Sequence, residues 1–290
     1  MTMQPVRLCR FTAASHPDVR VGLIEDGSVR DLTVAGVRRL DDLLERADLA
    51  EQLTRLRQCA PVERPLDQVR LLTPVESQEI WAAGVTYLRS KQARMEESDF
   101  SARAYDHVYE AARPEIFFKA VPEKVVSSGA AVGIRRDARW NVPEPELTLV
   151  INSSGALVGF TIGNDMSSRD IEGENLLYLP QAKIYTGSCA IGPWVVVGAV
   201  EDDARQWTIR LEIHRGDAVV FAGETRVDQI KRRFGELIEY LFRSQTFPRG
   251  AMLLTGAGIV PPDAFTLAAG DRVRITISGI GTLENPVTVV

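Results

Sequence analysis

Two glutamates, a short apolar run and a turn signal follow one another in the middle of the chain. Glu144 and Glu146 open a run in which apolar residues alternate through 147–151. Side chains of a strand point to alternate faces, so the run predicts both glutamates on one face, about 6–7 Å apart, with apolar side chains on the other. The turn signal Asn152–Gly155 predicts a hairpin. Pairing across it brings Asp165 within a residue or two of Glu144.

This hairpin gathers three carboxylates at one end. Two like charges 4 Å apart repel by about 4 kcal/mol at an effective dielectric of 20, so the cluster needs a cation, shared protons or solvent. Oxygen donors without Cys or His favour a hard ion such as Mg²⁺, Mn²⁺ or Ca²⁺. The alternative is a solvated acidic edge on which Pro145 blocks unwanted strand pairing. The spacing alone leaves both interpretations open.

Charged residues that follow the hairpin extend the candidate site. Arg169 could hold a substrate carboxylate or orient a metal ligand, or it could form an ordinary ion pair with Glu172 or Asp170. Lys183 lies in a segment with few other charges. It could stabilise a developing enolate beside the metal, or it could simply be a surface lysine.

The rest of the chain consists mainly of short runs bounded by turn residues, which predict strands. The stretches 37–56, 87–112 and 228–243 are interpreted as helical. Many strands with few helices favour an α+β, β-rich sandwich or rolled sheet over a doubly wound α/β fold. The predicted strands are 6–8, 19–24, 29–32, 79–85, 116–119, 147–152, 157–162, 194–200, 207–214, 252–255 and 273–277.

The length of 290 residues corresponds to about two domains. Three prolines between residues 61 and 74 predict an extended connector, because proline is disfavoured inside helices and central strands. We therefore predict a small N-terminal α+β domain over 1–71 and a larger domain, which carries the carboxylates, over 72–290.

The charge balance excludes several classes of partner. Lys plus Arg is 34 and Asp plus Glu is 39, so the net charge is −5 and supplies no basic field for nucleic acid. No apolar run reaches the roughly 18 residues of a membrane span, and the first residues lack the apolar region of a secretory signal. Cys9, Cys59 and Cys189 form no CxxC pair. These features predict a cytoplasmic protein that binds neither nucleic acid nor membrane.

Five stretches in a fixed order resemble the fumarylacetoacetate hydrolase family. Each is weak alone, but together they are specific, and the likeness covers nearly all of residues 72–290. The five are PEIFFKA (114–120), EPE (144–146), GNDMSSRD (163–170), LLTGAG (253–258) and ISGIGTLENPV (277–287).

The resemblance implies a rolled, mixed β-sandwich that assembles into homodimers or larger oligomers such as homotetramers. It also implies a divalent ion, typically Mg²⁺, which binds 2-oxo acid substrates through their carboxylate and keto oxygens. The residues that match the family's motifs are Glu144, Glu146 and Asp165 for the metal, Lys183 for the lysine and Thr255 for the threonine of the TG motif. Tyr87, Arg89 and Phe117 are further substrate-binding candidates from the matching stretches.

One stretch departs from the family's hydrolases. They carry a histidine and a glutamate on a lid, in the arrangement G-x-N-Y-x-x-H-x-x-E. Here Ser90 and Ala93 stand at those places, and His107, about seventeen residues past the slot, is predicted to be a surface residue. The base that would activate water is therefore missing, which argues against carbon–carbon bond hydrolysis.

The stretches GVTYLRSKQAR and NLLYLPQAKIYTGSCAIGP instead resemble a dehydratase branch of the family. This likeness implies Mg²⁺-dependent dehydration of 2-keto-3-deoxy-D-arabinonate (identical to the xylonate) to 2-oxoglutarate semialdehyde, in pentose catabolism. The alternatives are an acylpyruvate-type hydrolase or 2-oxo acid decarboxylase on the same site, and a non-catalytic binding protein.

Glu115 is the candidate for proton transfer. It precedes the apolar residues 116–118, and a carboxyl group in such a setting can serve as an acid or a base near neutral pH. The alternative is that Glu115 only partners Arg169 or Lys119.

Overall fold

The strands assemble into a large mixed sheet with a smaller sheet packed against it. The computed structural model describes residues 4–14, 16–59, 63–88 and 107–290. Its strands, in chain order, are β1 (Val6–Ala13), β2 (His16–Glu25), β3 (Ser28–Asp31), β4 (Glu63–Pro65), β5 (Val69–Leu72), β6 (Glu79–Gly84), β7 (Glu115–Ala120), β8 (Val125–Val126), β9 (Val132–Ile134), β10 (Asn141–Val142), β11 (Pro145–Ile151), β12 (Leu157–Asp165), β13 (Ser167–Ser168), β14 (Cys189–Val197), β15 (Thr208–Arg215), β16 (Ala218–Arg226), β17 (Ala251–Leu254), β18 (Arg272–Ile277) and β19 (Gly281–Val289).

Helices are few and short among the described residues. They are α1 (Leu40–Leu44), α2 (Leu49–Cys59), α3 (Arg169–Glu174), α4 (Leu179–Lys183), α5 (Glu201–Ala204) and α6 (Phe234–Phe242), and residues 107–110 are also helical. Single turns of 3-10 helix occupy Leu32–Ala35, Leu66–Gln68, Pro122–Lys124, Leu176–Tyr178 and Val227–Gln229. None of the described helices is long and apolar enough to span a bilayer.

The large sheet has the order β4-β3-β2-β1-β14-β12-β11-β17-β6-β7, with β5 beside β1 and β8 beside β14. The smaller sheet has the order β16-β15-β18-β19-β9, and β10 pairs with β13 separately. Most pairs are antiparallel, whereas β17 with β6, β14 with β8 and β19 with β9 are parallel. The β-rich α+β class and the rolled mixed sandwich predicted from the sequence are confirmed.

Both faces of the large sheet are covered, as β11 illustrates. Its residues Leu147, Leu149 and Ile151 belong to the apolar core that includes residues of β15 and β18 in the smaller sheet. Val150 points the other way, into a second core with leucines of α1 and α2. A strand buried on both faces needs apolar side chains in succession, which explains the near-continuous run from 147 to 151.

The N-terminal strands belong to the same sheet as the rest of the chain. β1 pairs with β2 along one edge, and along the other edge with β14 at residues 6–8 and with β5 at residues 10–13. β5 (Val69–Leu72) spans the predicted domain boundary at Leu71, and Leu53 of α2 shares a core with Met252 of β17. The division into 1–71 and 72–290 stays a prediction.

Two hairpins bear on the fold, and one of them is the predicted carboxylate hairpin. Glu25 pairs with Ser28 across a turn in which Asp26 and Gly27 have positive φ, as a type I′ turn requires. In the carboxylate hairpin β11 pairs with β12, and the N–H of Asp165 donates to the carbonyl of Glu144 at 3.0 Å. The prediction that Asp165 lies within a residue or two of Glu144 across the hairpin is therefore confirmed.

The helix predicted over 228–243 begins later than the apolar pattern suggested. Residues Val227–Gln229 form a 3-10 turn, and Ile230 is extended and bridges to Tyr87, so α6 starts at Phe234. The pairing with Tyr87 outweighs the local helical pattern. Of the helix predicted over 87–112, residues 107–110 are helical, and 89–106 lie outside the described residues.

Candidate active site

The three predicted metal ligands meet in one buried cluster. Glu144 stands just before β11, Glu146 lies within it, and Asp165 ends the neighbouring strand β12. Their relative exposures are 5%, 1% and 1%, and one oxygen from each lies within 4.8 Å of the others. The alternative of a solvated acidic edge is therefore wrong. Charges at that separation in a buried setting repel by about 3.5 kcal/mol at an effective dielectric of 20.

Lys183 is at the centre of this cluster. Its Nζ donates to Glu144 Oε2 at 2.8 Å, to Asp165 Oδ2 at 3.1 Å and to Ser167 Oγ at 2.6 Å. The side chain is 2% exposed, so the surface alternative for Lys183 is wrong. The residue ends helix α4, which brings it against the end of β12.

Two further cations contact the carboxylates from the other sides. Arg169, the first residue of α3, places a terminal guanidinium nitrogen 2.9 Å from Glu144 Oε1. Lys119, near the end of β7, forms a buried ion pair with Asp165 Oδ1. Glu144 and Asp165 thus face Lys119, Arg169 and Lys183, and these contacts fix the orientation of their oxygens.

Glu146 is held differently, by the backbone. The N–H of Gly256 donates to its Oε2 at 2.5 Å. Gly256 has a φ of +95°, and a Cβ there would lie 2.1 Å from Thr86 Oγ1, so only glycine brings this N–H into place. Burial, and then the charges of Asp165 and Glu144, raise the pKa of Glu146 well above its usual value.

The donor set fits a magnesium ion. All three candidate ligands are carboxylates, and hard cations such as Mg²⁺ prefer oxygen donors. The raised pKa of Glu146 means that its ionised form lacks a sufficient counter-charge, which a divalent ion would supply. Glu144, Glu146 and Asp165 are therefore the residues that would hold the metal.

Two more carboxylates line the same cavity. Glu115, the first residue of β7, lies directly over the Cα of Gly84. Glu172 lies on α3 one turn after Arg169 and is 2% exposed. Phe117 forms part of the wall, with Lys183 Nζ 5.8 Å from its ring centroid.

The remaining predicted site residues do not line this cavity or are not described. Thr255 is fully buried, and its hydroxyl donates to the carbonyl of Leu147 at 2.9 Å. Tyr87 is 1% exposed and packs against Gly258, and burial raises the pKa of its hydroxyl. Arg89, with the departing positions Ser90 and Ala93, lies outside the described residues. His107 is exposed, as predicted.

Sequence reasoning missed three contributors to the site. Glu172 was considered only as a partner for Arg169, although its spacing of three places both on one helix face. Lys119 was treated as a neighbour of Glu115, yet a lysine inside an apolar strand is a signal that a buried partner exists. The backbone N–H of Gly256 gives no such signal, because it depends on how β17 ends beside β11.

Comparisons with known proteins agree on one family. Residues 79–288 match the family model described as Fumarylacetoacetate (FAA) hydrolase C-terminal. A relative from Haloferax volcanii, named "Probable 2-keto-3-deoxyxylonate dehydratase", is 44% identical over 281 residues, covering 93% of this chain and 96% of the relative. A relative from Saccharolobus solfataricus, named 2-dehydro-3-deoxy-D-arabinonate dehydratase, is 41% identical over 225 residues, covering 77% and 76%.

Several solved structures resemble this chain over nearly its whole length, and one of them holds ligands. It is 2-keto-3-deoxy-D-arabinonate dehydratase complexed with magnesium and 2,5-dioxopentanoate. It superimposes with a TM-score of 0.80 at 33% identity and covers 98% of this chain and 99% of the other.

Proposed function

Since this chain belongs to the fumarylacetoacetate hydrolase family, we propose that it is a Mg²⁺-dependent dehydratase that converts 2-keto-3-deoxy-D-arabinonate to 2-oxoglutarate semialdehyde. The observation that carries the proposal is the buried triad of Glu144, Glu146 and Asp165 beside Lys183. It lies in a fold shared with a dehydratase solved with magnesium and 2,5-dioxopentanoate, which is the same compound as the proposed product.

The reaction removes one water from a five-carbon 2-oxo acid. Overall, the hydroxyl group at C4 and a hydrogen from C5 leave as water, which gives an enol between C4 and C5. The proton of the C5 hydroxyl is then lost and C4 gains one, which gives the aldehyde. The acidic protons lie at C3, next to the 2-oxo group. The site must therefore remove a proton at C3 and protonate the departing C4 hydroxyl. It must then remove a hydrogen from C5 as a proton while C3 regains one, which gives the enol between C4 and C5.

Bound Mg²⁺ would act as a Lewis acid that polarises the 2-oxo group and so acidifies C3. Arg169 holds Glu144 in a fixed orientation through its 2.9 Å contact. Lys183 is fixed by three acceptors, so its charge is already in place where negative charge develops on the substrate.

Glu115 and Glu172 are the cavity-lining carboxylates outside the triad among the described residues. Glu115 transfers the proton at C3, and Glu172 protonates the departing hydroxyl. The two come from β7 and α3, so they approach the substrate from separate elements. Glu115 thus serves the protons bound to carbon, and Glu172 serves the departing oxygen.

Phe117 contributes an apolar wall for the carbon chain of the substrate. Tyr87 and Arg89 complete the proposed substrate-binding set. Thr255 belongs to it indirectly, because its hydrogen bonds to Leu147 fix the segment whose next residue, Gly256, holds Glu146.

We also propose that the enzyme acts in the cytoplasm as a homodimer or homotetramer. The described cysteines, Cys9, Cys59 and Cys189, are free thiols, in keeping with a reducing compartment. Its pathway is pentose catabolism, in keeping with the names of the relatives.

A product assay tests the function. The protein is incubated with 2-keto-3-deoxy-D-pentonate in Mg²⁺ and, in parallel, in EDTA, and the products are identified by proton NMR. The proposal requires 2-oxoglutarate semialdehyde with Mg²⁺ and none with EDTA. Consumption of acylpyruvates or oxaloacetate without turnover of the sugar acid would move the activity to carbon–carbon cleavage.

A further inference from the structure

We propose that Lys119 is a positioning residue that sets the geometry of the metal site by fixing Asp165 and Lys183 relative to each other. This inference rests on the proposed function only for the assignment of Asp165 as a metal ligand. Lys119 is 0% exposed and is not among the cavity-lining residues, so it acts through its neighbours.

The Lys119 ammonium makes three buried contacts. It donates hydrogen bonds to the carbonyl oxygen of Met166 at 3.1 Å and to the carbonyl oxygen of Lys183, and it forms an ion pair with Asp165 Oδ1. The partners belong to the end of β12, the residue that follows it and the end of α4.

The two lysines divide the oxygens of Asp165 between them. Lys119 binds Oδ1, and Lys183 binds Oδ2 at 3.1 Å. A carboxylate with a cation at each oxygen has its plane fixed. Lys119 also binds the backbone carbonyl of Lys183. A single side chain therefore helps to fix both the orientation of the Asp165 carboxylate and the backbone position from which the Lys183 side chain extends.

Strand β7 has a bulge at Lys119. The ladder between β6 and β7 pairs Trp81 with Phe118 and Ile80 with Ala120, so Lys119 is the extra residue of a bulge. Bulges re-aim side chains and are common beside active sites. Glu115 and Phe117, which line the cavity, precede Lys119 on this strand. The contacts of Lys119 therefore also link this part of the cavity wall to the carboxylate cluster.

A role in filling space would not need a charge at this position. A buried ammonium costs free energy unless it is paired, and methionine would fill the volume at less cost. Partners that hold metal ligands behave differently, because removing one typically weakens metal binding by about 10- to 100-fold. The two roles therefore predict different metal affinities.

The test measures Mg²⁺ binding to the metal-free protein by isothermal titration calorimetry, in wild type, Lys119→Met, Lys119→Arg and Lys124→Met. Lys124 is an exposed lysine five residues further on and serves as the matched control. We expect Lys119→Met to bind Mg²⁺ about 10- to 100-fold more weakly, and Lys124→Met to match wild type. Lys119→Arg should fall between them, because a planar guanidinium keeps the charge but cannot direct all three contacts from one nitrogen.

Circular dichroism and the unfolding midpoint show which variants are folded. Mg²⁺ affinity within twofold of wild type in folded Lys119→Met overturns the proposal. If Lys119→Met does not fold, the test uses Lys119→Arg instead, and a wild-type Mg²⁺ affinity in that variant also overturns the proposal. The titration contains no substrate, so a failure of the dehydratase assay leaves this result standing. A wild-type protein that binds no Mg²⁺ would overturn both proposals.

Discussion

The carboxylate of Glu115 lies against the Cα of Gly84, so closely that a Cβ at Gly84 would be 2.1 Å from Glu115 Oε2. Gly84→Ala should therefore displace Glu115 without touching the triad. We expect kcat to fall by about 100-fold, since a misplacement of about 1 Å has that effect on a reacting group, with Mg²⁺ affinity unchanged. Gly235→Ala, where nothing lies within 4 Å of the added Cβ, is the matched control. An equal loss in both variants would contradict this reading.

Glu115→Gln tests the proton transfer itself. Glutamine keeps the shape of the side chain but can neither accept nor return the proton, so kcat should drop by about 10²- to 10⁴-fold while KM changes little. Steady-state kinetics with the sugar acid measure both constants. Glu123→Gln removes an exposed carboxylate eight residues further on and should match wild type. A wild-type kcat in Glu115→Gln would remove Glu115 from the mechanism.

Glu172→Gln tests the second acid–base group. We expect kcat to fall by about 10²-fold or more, because the departing hydroxyl loses its proton donor. Glu174→Gln, on the same helix but exposed, should keep full activity. A substrate whose C4 substituent leaves without protonation, such as fluoride, should largely restore turnover in Glu172→Gln and not in Glu115→Gln. Equal losses on both substrates would rule out this role for Glu172.

Stabilisation by Mg²⁺ should grow with pH. Burial and the nearby carboxylates raise the pKa of Glu146, so the folded protein favours the protonated form. Without metal, stability is greatest below the ordinary glutamate pKa and is lost as pH rises through the raised one. Mg²⁺ binds the ionised form, so the increase in Tm on adding Mg²⁺ should rise across that range. Glu146→Gln should show neither Mg²⁺ binding by calorimetry nor this pH dependence.

The carboxylate hairpin could be predicted because its information is local. The alternation through 147–151, the turn after Asn152 and the count back to Asp165 together determine which residues meet. The sequence did not show that these carboxylates are buried, because their cover comes from elements far along the chain. The Gly256 N–H could not be foreseen for the same reason, and Lys119 was visible only as a lysine inside an apolar strand, without its partners.

Other differences arise where a distant partner outweighs a local pattern. The helix predicted from 228 starts at Phe234 because Ile230 pairs with Tyr87. Thr255 matches a family motif, yet its hydroxyl is bonded to the carbonyl of Leu147 and does not reach the cavity. A motif identifies a position, and tertiary contacts decide which atom of that position faces the site.

The pairing of β1 with β14 has a consequence for attempts to shorten this protein. A chain trimmed at Leu71 would retain every candidate catalytic residue, yet it would expose the backbone donors and acceptors of β14. It would also uncover the apolar residues that face α1 and α2. Bare edges recruit strands from other molecules, so the product would aggregate. The N-terminal strands thus cover the edge of β14 and keep the catalytic sheet from pairing with other molecules.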